Sequence, residues 1–163
     1  MHAPLTLSRP ASACVRDDTA HKFCVLGAGS SGLAAAKSLR ARGIPFDCLE
    51  REDSIGGNWC YGRPHSSIYH STRMISSKLL TEYPDFPMPA EYPDYPDREQ
   101  VWRYLRAYAA HFDLYSHIEF GAGVRRVEPA APEGWDVTLD PGERRRYRGL
   151  IIANGHNWNP RRP

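Results

Sequence analysis

A glycine-rich turn between a short apolar strand and a helix constrains this chain more than any other feature. The strand Phe23–Leu26 runs into G-A-G-S-S-G, and a helix follows over residues 30–42. In such a turn the first glycine, Gly27, permits the tight bend, and the third, Gly32, lets the helix pack closely on the strand. The second, Gly29, has no Cβ, so a diphosphate can approach the backbone. The free N–H groups and dipole of the helix N-terminus would then face phosphate groups.

The next strand and the loop after it extend this pattern. A second apolar strand spans residues 45–49, and Glu50 follows it directly. Glu50 lies 18 positions after Gly32, close to the ~20 residues expected between the glycine turn and the acidic residue. Glu50 could accept hydrogen bonds from ribose hydroxyls, and its charge would repel a 2′-phosphate, so the motif favours FAD or NAD over NADP. The following loop carries Gly56-Gly57 and Trp59, which indicates backbone that bends tightly or meets a ligand. The alternative is a glycine-rich turn that binds nothing, with a solvated acid at the strand end.

Length and charge limit the classes of protein to which the chain can belong. Its 163 residues suit one domain, or one domain with an insertion, and a formal net charge of +2 makes no case for nucleic acid or a membrane surface. The arginine run at 144–146 with Arg148 is interpreted as the solvated edge of a hairpin. No segment approaches the ~20 consecutive apolar residues of a membrane span.

The cysteines and the first residues predict a reducing, cytoplasmic setting. The four cysteines show no C-x-x-C spacing, zinc pattern or disulfide framework, and Cys24 and Cys48 fall in predicted buried strands. Residues 1–20 lack the apolar core of a secretory signal and contain Asp17-Asp18, so we expect a disordered leader there. Residues 21–163 would then form the folded domain.

The segment 60–97 has no regular pattern and is rich in proline, tyrosine, serine and histidine. A structureless stretch of this length is uncommon in a compact domain unless it is functional. His65 and His70 could be acid–base groups or metal ligands, but no third ligand stands at a suitable spacing. We therefore predict no metal site.

The second half predicts a helix and then short strands. The helix spans residues 98–112, with Asp97 as its N-cap and an apolar stripe that we interpret as packing against the sheet. The continuously apolar segment 150–153 is typical of a strand in the interior of a parallel sheet, and Asn154-Gly155-His156 follows at its ligand-facing end. A small antiparallel layer is expected from the strands at 117–120, 124–127, 135–139 and 144–148. The predicted fold is a doubly wound α/β domain with a small antiparallel insertion.

Together with the glycine turn, three further blocks resemble a known family. E-R-x-x-x-I-G-G-x-W spans residues 50–59, Y-P-D-F-P-M-P spans 83–89, and N-G-H stands at 154–156. Their order and spacing resemble the N-terminal part of the flavin-containing monooxygenases. These are class B flavoprotein monooxygenases, related to Baeyer–Villiger enzymes and N-hydroxylases. The resemblance runs from about residue 22 to residue 163.

This resemblance implies a Rossmann-like FAD-binding domain of an NADPH- and O2-dependent monooxygenase. NADPH would reduce FAD, and the reduced flavin would activate dioxygen and pass one oxygen atom to a soft nitrogen or sulfur nucleophile, or act in the Baeyer–Villiger manner. The glycine turn would hold the diphosphate, Glu50 the adenosine ribose, and Asn58-Trp59 the flavin side. The implied cofactor-binding residues are Gly27, Ala28, Gly29, Ser30, Ser31, Gly32, Glu50, Arg51, Gly57, Asn58 and Trp59.

Two departures from the family pattern limit what can be assigned. Many members carry an asparagine just before the S-S-K at 76–78, whereas this chain has Ile75, so no catalytic residue is assigned. The F-x-G-x-x-x-H fingerprint and the second G-x-G-x-x-G, which binds NADPH, do not occur in these 163 residues. The chain therefore looks truncated before the NADPH domain, and a non-catalytic FAD-binding fragment is the alternative function.

Two other oxidoreductase classes fit less well. A disulfide reductase would need a redox cysteine pair, which is absent. A short-chain dehydrogenase would need a tyrosine followed four positions later by lysine, and neither Tyr104 nor Tyr108 meets that condition.

Overall fold

A four-stranded parallel sheet positions the glycine turn in the computed structural model, which describes residues 15–156. The elements in chain order are β1 (Val15–Arg16), β2 (Phe23–Leu26), α1 (Ser30–Ala41), β3 (Phe46–Leu49), α2 (Lys78–Thr81), α3 (Arg98–His111), β4 (Ile118–Glu119), β5 (Val124–Pro129), β6 (Trp135–Leu139), β7 (Arg144–Tyr147) and β8 (Gly149–Ile152). The parallel sheet has the order β4-β3-β2-β8. Because all its strands are parallel, their carboxyl ends meet at one edge, where the turn after Leu26 lies.

Helices α1 and α3 cover one face of this sheet. Asp97 caps α3 by accepting hydrogen bonds from the backbone N–H groups of Glu99 and Gln100, as the sequence predicts. The apolar stripe of α3 is buried, which confirms it as core. Its members share one cluster with residues of α1 and of the sheet, among them Val101, Tyr104, Leu105, Tyr108, Leu33, Ala36, Val25 and Cys48.

A second sheet, ordered β1-β7-β6-β5, covers the other face. Strands β5, β6 and β7 pair antiparallel, which confirms the expected antiparallel layer. Successive strand residues point to opposite faces, so Cys24 and Leu26 pack against this layer while Val25 packs against the helices. The second apolar cluster includes Cys24, Leu26, Leu49, Val137, Leu139 and Tyr147. Cys24 and Cys48 are both fully buried, as predicted.

The arginine run is not the solvated hairpin edge that its composition suggested. Strand β7 lies between β1 and β6, so it has a neighbour on each side. Arg145 is only 7% exposed and forms ion pairs with Glu119 and Glu143. The prediction was wrong because a run of charged residues does not by itself indicate a water-facing surface, and these guanidinium groups have acidic partners on other strands.

Two strands occupy positions other than those expected. The segment 117–120 was assigned to the antiparallel layer, but Ile118–Glu119 pairs with β3 in the parallel sheet. The segment 150–153 was expected inside the parallel sheet, but β8 lies at its edge within the described residues, and Ile152 is 65% exposed. An apolar run identifies a parallel strand but does not specify the order of its neighbours.

The expected disorder over residues 1–20 does not hold for 15–20, whereas residues 1–14 lie outside the described range. Val15–Arg16 pairs with β7, and Thr19 is buried with its hydroxyl donating to the carbonyl of Arg146 at 2.6 Å. The segment 60–97 is irregular apart from the single turn of α2. Across residues 15–156, none of the helices is both long and apolar enough to cross a bilayer.

Candidate functional site

Two glycines of the first turn are required by the protein's own packing. Gly27 has φ of 98°, in the region that favours glycine, and a Cβ there would lie 2.7 Å from the carbonyl oxygen of Ala153. A Cβ on Gly32 would lie only 1.8 Å from the carbonyl oxygen of Gly27. The structure thus agrees with the predicted roles of Gly27 in the tight bend and Gly32 in helix–strand packing.

Gly29 differs from these two because the fold itself does not require a glycine there. Its φ of −75° and ψ of −174° are open to any residue. The nearest atom to an added Cβ would be the Cα of Gly57 at 3.8 Å, an ordinary contact. The missing side chain leaves room beside the start of α1, which is where a diphosphate would need it.

The N-terminus of α1 has the properties of an anion-binding site. Gly29 is the N-cap and offers no side chain to hydrogen-bond the first N–H groups, and the first turn contains no acidic residue. Ser30 and Ser31 are exposed at this end. Uncapped N–H groups and the helix dipole favour a negatively charged group here.

Glu50 is buried beneath the glycine turn rather than solvated at a strand end. It is 6% exposed, and its Oε2 accepts a hydrogen bond from the N–H of Ala28 at 2.7 Å. Its Oε1 accepts one from the N–H of Glu52 at 2.9 Å. Each carboxylate oxygen can accept a further hydrogen bond, so a ribose hydroxyl remains compatible with this arrangement.

The Gly56-Gly57 loop packs directly against the first turn. The N–H of Gly56 donates to the carbonyl of Ala28 at 3.0 Å, and Gly56 has φ of 113°. Trp102 of α3 fixes this loop, since its Nε1 donates to the carbonyl of Ile55 at 3.0 Å. A Cβ on Gly56 would meet the Trp102 ring at 2.7 Å. The fold therefore brings Ala28, Gly29 and Gly57 together, although they are distant in sequence.

The remaining predicted residues have different surroundings. The Oδ1 of Asn58 accepts hydrogen bonds from the N–H and the hydroxyl of Ser67, so this side chain holds the adjoining loop. Arg51 is exposed, and its Cβ lies 3.8 Å from where a Cβ on Gly123 would be. Trp59 is half-buried and lines a cavity next to the turn.

That cavity has a volume of about 290 Å³ and opens beside the N-terminus of α1. Apolar side chains form most of its surface, while Ser30, Ser31 and Thr81 contribute hydroxyl groups. Four lining residues come from the irregular segment or its short helix, and the sequence analysis assigned none of them to the site. They are Met74, Thr81, Tyr83 and Met88. Two sequence signals pointed to this segment: its unusual length, and the Y-P-D-F-P-M-P block, which contains Tyr83 and Met88.

Tyr83 connects the irregular segment to the helix of the glycine turn. Its hydroxyl donates to the carbonyl of Ser30 at 2.6 Å, and its N–H donates to the hydroxyl of Tyr104 at 2.7 Å. Burial raises the pKa of the Tyr83 phenol, so its proton is retained at neutral pH. The Y-P-D-F block thus contributes one wall of the cavity.

Ile75 is fully exposed and does not line the cavity, although its neighbour Met74 does. The residues after it have structural contacts: the hydroxyls of Ser76 and Thr81 are 2.7 Å apart, and Lys78 donates to the carbonyls of Ala90 and Tyr92 at 3.0 and 2.6 Å. The structure therefore suggests no substitute for the family's asparagine, and no catalytic residue is assigned.

The two histidine candidates do not converge on this site. His65 Nδ1 lies 2.5 Å from Glu52 Oε1, and the carbonyl of His70 accepts a hydrogen bond from Arg98. In the described range 15–156, no three His, Cys, Asp or Glu side chains are grouped so as to hold a metal ion.

Comparison with known proteins identifies the family. The family described as flavin-binding monooxygenase-like matches residues 20–163. Indole-3-pyruvate monooxygenase YUCCA1 of Oryza sativa subsp. japonica is 41% identical over 140 residues, which cover 85% of this chain and 33% of that protein. Flavin-containing monooxygenase 1 of Homo sapiens is 34% identical over 157 residues, which cover 88% of this chain and 29% of that protein.

A solved structure supports the same relationship. S-allyl-L-cysteine S-oxygenase from Allium sativum superposes with a TM-score of 0.79 at 26% identity, over 92% of this chain and 38% of that one. The chain spans about a third of the length of the curated relatives that it matches. The sequence blocks, the fold and these relatives agree, and the chain belongs to the flavin-binding monooxygenase-like family.

Proposed function

We propose that this chain is the FAD-binding part of a flavin-dependent monooxygenase, with the diphosphate of FAD at the N-terminus of α1. Gly29 is the observation that carries the proposal. A Cβ at Gly29 would fit the surrounding protein, unlike one at Gly27 or Gly32, so the packing of the protein does not explain this glycine. The space that it leaves lies next to uncapped backbone N–H groups. Both properties suit a diphosphate that approaches the backbone closely.

The residues around the turn fit the rest of the cofactor. Gly27, Ala28 and Gly32 set the backbone of the turn, and Ser30 and Ser31 stand at its open end. Glu50 would accept ribose hydroxyl groups, and its charge disfavours a nucleotide with a 2′-phosphate at this turn. Gly57 and Trp59 would border the flavin side, with the cavity of about 290 Å³ beyond them. Arg51 and Asn58 would support this site through the adjoining loops.

Bound FAD would supply the redox chemistry of the family, and the protein would bind it, orient it and limit its contact with water. We extend the proposal to NADPH as the reductant and dioxygen as the co-substrate. The substrate class would be small molecules with a soft nitrogen or sulfur nucleophile. This class agrees with the names of relatives, which include N-oxide-forming dimethylaniline monooxygenases and an S-oxygenase.

Baeyer–Villiger chemistry is also compatible with this proposal, because cyclohexanone monooxygenase shares the fold, with a TM-score of 0.74 at 25% identity. A cytoplasmic, reducing location also stays a prediction. Cys24, Cys48 and Cys60 are free thiols, in keeping with such a setting.

The second candidate is an FAD-binding fragment without monooxygenase activity of its own. This candidate concerns the 163 residues by themselves, which span about a third of the length of these relatives and contain no second G-x-G-x-x-G. Both candidates place FAD at the same turn, so they differ only in whether the bound flavin is reduced and reacts with dioxygen.

The test is the visible absorbance of the purified chain after incubation with FAD and gel filtration. We expect FAD to be retained, whereas riboflavin, which lacks the diphosphate and adenosine, should elute separately. NADPH is then added in air. A flavin band that is retained but not bleached supports the fragment, and bleaching with oxygen consumption supports the monooxygenase. Equal retention of FAD and riboflavin, or no retention of FAD, would contradict both.

A further inference from the structure

The turn at residues 83–86 lies between the helix of the dinucleotide site and α3. The N–H of Phe86 donates to the carbonyl of Tyr83 at 3.0 Å, which closes the turn. The hydroxyl of Tyr104, on α3, accepts from the N–H of Tyr83 and donates to the carbonyl of Phe86 at 2.6 Å. A single tyrosine hydroxyl on α3 therefore holds both ends of this turn.

Two side chains connect the same turn to α1, at different heights along the helix. The hydroxyl of Tyr83 donates to the carbonyl of Ser30, the first residue of α1. Asp85 forms an ion pair with Lys37, about two helical turns further along. The Tyr83 contact is thus at the phosphate-binding end, whereas the Asp85 contact is in the body of the helix.

The position of the Tyr83 ring does not depend on its hydroxyl. The ring centroid lies 4.1 Å from that of Tyr108 and 5.8 Å from that of Tyr104. Phenylalanine at this position would keep both ring contacts. The hydroxyl can therefore be removed with its packing left in place, which separates its role from that of the ring.

We propose that Tyr83 is a positioning residue for FAD, acting through the first turn of α1. Its hydrogen bond to the carbonyl of Ser30 holds the residue whose N–H and side chain stand at the open end of the turn. This orients the uncapped N–H groups toward the diphosphate and fixes one wall of the cavity. The inference rests on the proposed FAD site and adds a residue that lies outside the nucleotide-binding motif.

The test compares Tyr83→Phe with Asp85→Asn, which removes the other link between the same turn and α1. FAD dissociation constants are measured by flavin fluorescence, the visible circular dichroism of bound FAD is recorded, and the unfolding midpoint is measured without FAD. We expect Tyr83→Phe to weaken FAD binding by more than about 2-fold and at most about 10-fold, because FAD must then order a first turn that one hydrogen bond within the protein no longer holds. The variant should also change the dichroism of the bound flavin. Asp85→Asn should change the unfolding midpoint as much as Tyr83→Phe does, because each variant removes one link between the turn and α1. It should leave FAD affinity within about 2-fold of the wild type.

The FAD affinities and the dichroism of the bound flavin together decide whether Tyr83 positions the first turn for FAD. Unchanged FAD affinity and dichroism in Tyr83→Phe, with the wild-type chain binding FAD, would overturn the inference and leave the FAD site standing. Equal loss of FAD affinity in both variants would also overturn it, because the turn at 83–86 would then stabilise α1 as a whole and not its first turn in particular. Failure of the wild-type chain to bind FAD would overturn the proposed function itself, and this inference with it.

Discussion

The glycine turn with its neighbouring loop and the mainly antiparallel sheet, β1-β7-β6-β5, on the far side depend on different kinds of contact. At the turn, backbone geometry decides the structure: Gly27, Gly32 and Gly56 each occupy positions where a Cβ would meet other atoms at under 3 Å. In the antiparallel sheet, ion pairs between charged side chains connect the strands, as Arg146 does with Asp136. Arg145 connects this sheet to Glu119 of the parallel sheet. A site for a bulky anion benefits from bare backbone, whereas a layer with one solvent-facing side can use ion pairs.

Gly32→Ala should have the largest effect on stability. It tests whether the turn tolerates a side chain at the point where the helix backbone packs against the backbone of Gly27. The new Cβ would lie 1.8 Å from the carbonyl oxygen of Gly27, and neither helix nor strand can shift freely. We expect a loss of about 4 kcal/mol or more in the free energy of unfolding, or no cooperative folding, as measured by urea denaturation. Ser38→Ala on the exposed face of the same helix should change it by less than about 0.5 kcal/mol. A near-native Gly32→Ala would contradict this view of the turn.

Gly29→Val tests whether Gly29 is required for FAD binding, whereas Gly27 and Gly32 are required for folding. Because an added Cβ at Gly29 meets only the Gly57 Cα at 3.8 Å, we expect stability without FAD to fall by no more than about 1 kcal/mol. FAD affinity should fall at least about 100-fold, because the side chain would occupy the diphosphate space. Titration with FAD and urea denaturation measure the two effects. Gly123→Ala, which adds a Cβ with contacts no closer than 3.6 Å, is the control and should retain FAD.

Glu50→Ala tests the one charged side chain built into the turn. Two backbone N–H groups, of Ala28 and Glu52, would lose a carboxylate acceptor, so we expect about 1.5–3 kcal/mol less stability even without FAD. FAD affinity should fall as well, since the ribose would lose its acceptor. Glu50→Gln retains an acceptor oxygen and should recover part of both losses. Unchanged stability together with weaker FAD binding would show that Glu50 serves the ligand alone.

The smallest expected effect lies in the antiparallel sheet and depends on pH. Arg146 lowers the pKa of Asp136, and Arg145 with Arg16 lowers that of Glu143 to about 2. A carboxyl group with a lowered pKa stabilises the fold above its unfolded pKa, and this contribution is lost as pH falls through the folded pKa. Stability should therefore decline from about pH 4.5 towards about pH 2, as thermal unfolding would show.

Asp136→Asn is the matched variant for this decline. It should lower stability by about 1 kcal/mol at neutral pH, since Arg144 and Arg146 lose a charged acceptor. The loss on acidification should then be smaller than in the wild type, and FAD affinity at neutral pH should not change. An acid profile identical to that of the wild type would show that the ion pairs of Asp136 contribute nothing to it.

Sequence patterns were most reliable where the structure depends on neighbouring residues. The strand, turn and helix around Gly27 and the N-cap at Asp97 were predicted because spacing and residue type determine local backbone conformation. The arginine run was misjudged because its partners, Glu119 among them, lie on other strands. Met74 lies in none of the sequence patterns, and Tyr83 belongs to a family block to which no role was assigned, because no periodic pattern marks an irregular segment that folds over a cavity.

The sequence alone determined the family, the glycine turn and the parallel strands β2, β3 and β8, because these depend on residue types at short, regular spacings. Only the tertiary structure decided that Gly57 faces Gly29, that Tyr83 reaches the start of α1, and that Glu50 is buried under the turn. It also placed β8 at the edge of the parallel sheet within the described residues. These contacts join distant segments, and they depend on how two apolar clusters pack on opposite faces of one sheet, which local spacing does not encode.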